Sequence, residues 1–247
     1  MNSETCPNCQ YILAKTDLYC PSCGQKARLP RITTREVVAN IIHSFTDTRG
    51  LWHLIRNLVK QPGRVARDFV TGKRNRYFPP FSFLILVVGL TSLLLGETQV
   101  ISHQTDHSAS NKDNLVGEFM DNHANLIIFL NVPILAFYNF LLFRKARFYF
   151  AEHLVMTAFT SGMKSIVFSL LVMPLLYLLP EFYFMVIASY LVLWVVYFSW
   201  ANLQFTQNSG IQARIRGFFV PILSQLTTIA LVVLALFLYF GKEILKK

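Results

Sequence analysis

Residues 73–96 read KRNRYFPPFSFLILVVGLTSLLLG, passing within a few positions from clustered cations to nearly unbroken hydrocarbon. Lys73, Arg74, Arg76 and Tyr77 are the residue types that anchor a chain at head-group depth, where cations meet phosphate and aromatic rings straddle the boundary. Pro79 and Pro80 then open a helix, because proline in the first turn gives up an N–H that has no intrahelical acceptor there. About 20 apolar residues are needed to cross ~30 Å of hydrocarbon. By that measure the chain has five spans, at about 81–96, 126–143, 154–179, 182–203 and 217–240.

Composition agrees with this reading. The 247 residues are 53% hydrophobic and only 15% charged, with a mean hydropathy of +0.43, which excludes an ordinary soluble enzyme. The first apolar run of membrane length begins at Phe81, so no cleaved signal peptide is expected. Charge assigns the sides. Residues 1–80 carry 13 Lys/Arg against 5 Asp/Glu, whereas residues 96–125 carry one Lys against 5 acids. Basic segments stay in the cytoplasm, so the expectation is an integral protein of a cytoplasmic membrane with its N-terminus and Arg144–Arg147 inside and the loop 97–125 outside. Lys242, Lys246 and Lys247 oppose that rule after five spans, which makes the first and shortest span a candidate for re-entrance.

All four cysteines fall in the first 23 residues, as Cys6-Pro7-Asn8-Cys9 and Cys20-Pro21-Ser22-Cys23-Gly24. Two CxxC knuckles can turn four thiolates toward one tetrahedral ion, and Gly24 permits the left-handed conformation that tightens such a turn. Disulfides are the alternative, and they disagree with a cytoplasmic location. The expectation is one structural zinc held by Cys6, Cys9, Cys20 and Cys23, with no coordination position left for water. Residues 1–28 are then a zinc ribbon whose folding energy comes from the metal.

Residues 29–80 are expected to form amphipathic helices at the membrane surface. A capping box at Thr33 and Glu36 starts one, with Val37, Val38, Ile41, Ile42 and Phe45 on one face. Leu51, Leu54, Ile55, Leu58 and Val59 mark a second, and Val65, Phe69 and Val70 a third, each too short to span. They either lie in the interface with arginines toward phosphates or pack as a small cytosolic domain. The fold class is therefore a small zinc ribbon, amphipathic helices, and an all-α polytopic membrane domain over 81–247.

The third span is the most informative of the membrane segments, because it carries several polar residues on one face. At 100° per residue, His153, Thr157, Thr160 and Lys164 fall within about 60° of one another. With Asn139, Asn202, Ser224, Gln225 and Thr228 in the same half of neighbouring spans, they read either as an inward-open polar cavity or as interhelical hydrogen-bond glue with Lys164 snorkelling. Glu152 and His153 diverge on the helix and lack an HExxH partner, which gives catalysis little support. His103, His107 and His123 offer at most a weak second metal set in a solvated loop.

The arrangement resembles a bacterial family of unknown function that joins an N-terminal zinc ribbon to several membrane spans. The matching residues are Cys6, Cys9, Tyr19-Cys20, Cys23-Gly24-Gln25, Pro62, Gly72-Lys73-Arg74, Tyr77, Pro79 and Glu152-His153. The resemblance implies this architecture, and it brings no assigned activity with it. The functional expectation is a non-enzymatic accessory or scaffold protein of the inner membrane whose ribbon and spans bind lipids and a protein partner. A small transporter or lipid-handling protein built around Lys164 is the alternative. Specific nucleic-acid binding lacks a stacking platform and a basic groove.

Overall fold

A computed structural model describes residues 4–14, 16–27, 50–98 and 111–245. The helix expected from Thr33 and Glu36, and His103, His107, Lys246 and Lys247, lie outside the described residues. The protein is mostly helical, with five helices long and apolar enough to cross a membrane.

The N-terminal unit is a pair of strands, β1 (Glu4–Thr5) and β2 (Ile12–Leu13), antiparallel with Glu4 opposite Leu13 and Thr5 opposite Ile12, followed by a bridge between Tyr19 and Lys26. Its buried core is Cys6, Leu13 and Cys20, with Cys23 and Ala27 partly covered. So few apolar groups cannot offset the entropy of ordering the chain, which leaves the thiols as the natural source of stability.

Helices α1 (Leu51–Lys60) and α2 (Pro62–Val70) form a tight pair in which Pro62 occupies the first turn of α2, as its missing N–H allows. They are amphipathic, as expected, and their buried faces pack against the membrane bundle, while Trp52 and Val59 stay exposed on the outer face of α1. Leu54, Leu58, Val65, Ala66 and Phe69 belong to the same buried cluster as Phe83, Phe159 and Phe205 of the membrane bundle. Gly63 explains how α2 gets so close. A Cβ at that position would stand 1.9 Å from the Ala201 carbonyl oxygen, so only glycine allows this approach. The Gly63 N–H donates to Gln204 Oε1 at 3.0 Å, Arg67 donates to the Phe205 carbonyl at 3.0 Å, and the Tyr197 hydroxyl donates to the Leu58 carbonyl at 3.0 Å.

The membrane bundle consists of α3 (Pro80–Thr98), α4 (Asn111–Leu142), the rod α5 (Phe150–Val167) to α6 (Met173–Leu178), α7 (Tyr183–Thr206) and α8 (Ile211–Leu245). Pro80, Leu142, Phe150, Thr206 and Ile211 lie at one end, called here the ribbon end. With 19 residues, α3, the span named as a candidate for re-entrance, is an unbroken helix about 28 Å long. The loop expected over 97–125 is helical from Asn111 onward, because α4 continues beyond its apolar stretch. Between α5 and α6, residues Phe168–Val172 form a π-helical turn, with the Met173 N–H on the Phe168 carbonyl. Pro174 follows, and the wider turn moves carbonyls clear of its ring.

Polar pairs join the helices. Asn131 donates to Ser224 at 3.1 Å and to Thr228 at 2.8 Å, Tyr138 meets Thr227 at 2.7 Å, and Thr91 meets Ser169 at 2.7 Å. Such pairs suit a medium where no water competes. Outward, Leu171, Tyr177, Phe184, Val192, Leu234 and Phe237 are exposed, as a lipid-facing surface requires.

Candidate metal centre

The two knuckles are copies of one turn. Cys6 N–H donates to the Tyr11 carbonyl and Gln10 N–H to the Cys6 carbonyl, both at 2.8 Å. Cys20 N–H donates to the Gln25 carbonyl at 2.7 Å and Gly24 N–H to the Cys20 carbonyl at 2.8 Å. The fifth residue of each turn is left-handed, Gln10 at φ 64° and Gly24 at φ 70°. Gly24 takes that conformation without cost, as expected from the sequence, whereas Gln10 is held there against its preference.

This repeated turn brings all four Sγ atoms within 4.8 Å of one another, Cys6 to Cys23 at 3.7 Å and Cys9 to Cys20 at 3.5 Å. Tetrahedral bonds of about 2.3 Å set sulfurs about 3.8 Å apart, so the donor set fits an ion of that kind. The cysteines carry no disulfide. Their environments differ: the Tyr11 backbone N–H lowers the Cys9 thiol to about 7, while burial pushes Cys20 up to about 11. Four thiolates cannot share this space without a cation to neutralise them. The four cysteines expected as ligands thus lie together in one cluster that could hold a metal ion, and four sulfur ligands would leave no open position on it.

The ribbon rests on the turn that leads into α3. Asn75, in the short 3₁₀ turn Arg74–Arg76, donates its backbone N–H to Gln25 Oε1 at 3.2 Å and its side-chain amide to the Cys23 carbonyl. The residues expected as head-group anchors have partners inside the protein. Lys73 pairs with Asp68 at 2.9 Å. Tyr77 is buried, stacked on His53, and donates to Asp68 at 3.4 Å, while Arg76 lies over the Tyr77 ring. Tyr77 is therefore packed within the protein rather than presented to lipid.

The polar face of α5 divides into three parts. His153 is fully buried among Phe140, Phe148 and Phe205, with ring centroids 5.7–6.2 Å away, and neither ring nitrogen has a hydrogen-bond partner among the described residues. Thr157 and Thr160 turn their hydroxyls back to carbonyls of their own helix. Lys164 stands apart from them, half-buried, with Nζ 5.1 Å above the Trp194 ring. Asn139 points its amide at Met156 Sδ, 3.3 Å away. Sequence reasoning missed Asn131, Gln204 and Asn75, each paired with a residue distant in the chain. Gly63 inside an amphipathic repeat was the one available sign that a helix would come close.

One family model matches the chain. Described as a protein of unknown function, DUF3667, it covers residues 49–91. That stretch takes in α1, α2, the Asn75 turn and the first part of α3, and it leaves out the cysteines. No curated protein and no solved structure matches.

Proposed function

We propose that the protein is a non-enzymatic accessory subunit of a membrane assembly, in which a zinc-built ribbon docks a protein partner at the cytoplasmic face. The observation that carries this is the pairing of a closed four-thiol site with an apolar ribbon surface. Tyr11, Ile12, Leu18 and Tyr19 are 48%, 65%, 80% and 56% exposed on a unit whose own core is only a few residues. A four-ligand ion offers structure and no reactive position, so the ribbon's chemistry lies in its surface. Aromatic and aliphatic side chains of this kind are the usual anchors of protein interfaces.

The side is inferred from charge. Lys73, Arg74, Arg76, Arg144, Lys145, Arg147, Arg214 and Arg216 all belong to the ribbon end, which the positive-inside rule assigns to the cytoplasm. The bundle supplies the anchor in an inner membrane and a lipid-facing surface. Purification in a gentle detergent with mass spectrometry of co-purifying proteins tests the reading. A partner retained by the wild type and lost from Leu18→Asp, with metal content unchanged, is the expected result. Equal recovery of the same proteins by both forms would refute a docking role for the ribbon.

A further inference from the structure

The ribbon and the membrane bundle meet at Asn75, and both acceptors it uses belong to the second cysteine knuckle. Its side-chain amide reaches the carbonyl of Cys23, itself a thiol of the cluster, and its backbone N–H reaches Gln25, two residues further on. Gln25 is buried at this contact and its carbonyl closes the knuckle by accepting from Cys20 N–H. The position of both acceptors is therefore set by the turn that orients two of the four thiols.

The other half of the contact is built by the bundle. The turn Arg74–Arg76 is framed by Lys73 on Asp68 and by Tyr77 on His53 and Asp68, so its anchors come from α1 and α2. These helices are fastened in turn to α7 through Gly63, Arg67 and Tyr197. The receptor therefore stands without the ribbon, whereas the ribbon's core of Cys6, Leu13 and Cys20 is too small to hold its knuckles in place unaided.

We propose that the ribbon is a metal-dependent latch: with an ion on the four cysteines it clasps Asn75 and fixes the turn entering α3, and without one it lets go. The protein thereby reports metal occupancy to its first membrane helix, a metal-responsive role in addition to docking. The proposal rests on the metal-centre reading, and it assigns Asn75 and Gln25 as positioning residues rather than metal ligands. The free energy of binding four thiolates is the free energy that folds such a unit. Removing the ion therefore disperses both acceptors at once.

The test is hydrogen–deuterium exchange on the full chain in lipid nanodiscs, zinc-loaded and chelator-stripped, with metal content measured on the same samples. In the wild type, stripping should speed exchange of the Asn75 amide at least tenfold, while α1 and α2 change little. Asn75→Asp, which keeps the side chain's size but loses its donor, and Gln25→Met, which keeps length but loses the acceptor, should still bind one zinc. Both should show fast exchange at the turn whether or not zinc is present. Zinc bound with identical exchange at 73–77 in the loaded and stripped wild type would overturn the latch and leave the metal centre standing. Failure to bind zinc at all would overturn both.

Discussion

Gly63→Ala should separate α2 from the bundle. The added Cβ falls 1.9 Å from the Ala201 carbonyl oxygen and 2.6 Å from both Gln204 Cβ and the Phe205 nitrogen, atoms that are backbone or attached directly to it. No rotamer change relieves this, so α2 must withdraw by more than about 1 Å, as overpacked helices do. Withdrawal stretches the Gly63–Gln204 and Arg67–Phe205 hydrogen bonds, both 3.0 Å, each worth about 1 kcal/mol. It also loosens Val65, Ala66 and Phe69 in the core, and overpacking itself costs about 1–3 kcal/mol. Alanine's better helix propensity returns at most about 1 kcal/mol, less so near a helix start. The net loss is about 2–4 kcal/mol, read by denaturation in mixed micelles and by faster amide exchange across α1 and α2.

Two other glycines supply controls. Gly162→Ala meets the Phe83 ring first, at 2.5 Å, and should cost less if that ring can tilt; Gly89→Ala has nothing within 4 Å and should be neutral or slightly stabilising. If Gly63→Ala is as stable as Gly89→Ala, with exchange of α2 unchanged, the close seating of the hairpin is wrong.

Gln10→Gly should relieve the left-handed strain in the first knuckle and stabilise the ribbon by about 1 kcal/mol, measured as slower zinc release to a chelator. His153→Phe should raise bundle stability by about 1–3 kcal/mol, because it removes from an aromatic box two ring nitrogens that have no partner among the described residues; a loss of stability would mean that His153 holds a hydrogen-bonded partner in the membrane. A cysteine placed at Lys145 should react with a membrane-impermeant maleimide only from the cytoplasmic side and one at Ser108 only from the outside, and the reverse at either site would refute the assigned orientation.

The membrane helices were legible because hydropathy alone sets them, and the cysteine site because CxxC spacing leaves few geometries for four thiolates. Helix ends were less so: α4 runs back to Asn111, since a polar sequence continues a helix already nucleated in the apolar stretch. Leu54, Leu58, Val65 and Phe69 were read correctly as buried positions of α1 and α2, whereas Val59 is exposed, and a stripe such as Leu54 and Leu58 has the same period whether lipid or protein covers it. Only the tertiary fold reveals that α5 and α7 of the bundle are the cover. Lys164 and His153 do share a face of α5, but the Trp194 ring that receives the cation is 30 positions away, beyond the reach of local periodicity. Asn75 gave no signal within its basic run, because its contacts with Cys23 and Gln25 arise from two folded turns meeting.

The most direct test of the account is X-ray absorption at the zinc edge on the purified full chain, with metal content determined on the same sample. The expected result is one zinc per chain with four sulfur neighbours at about 2.3 Å and no oxygen or nitrogen ligand, lost when any one of Cys6, Cys9, Cys20 or Cys23 is replaced by serine. Less than about half an equivalent after zinc-replete purification, or a shell containing light-atom ligands, would contradict a closed structural ion.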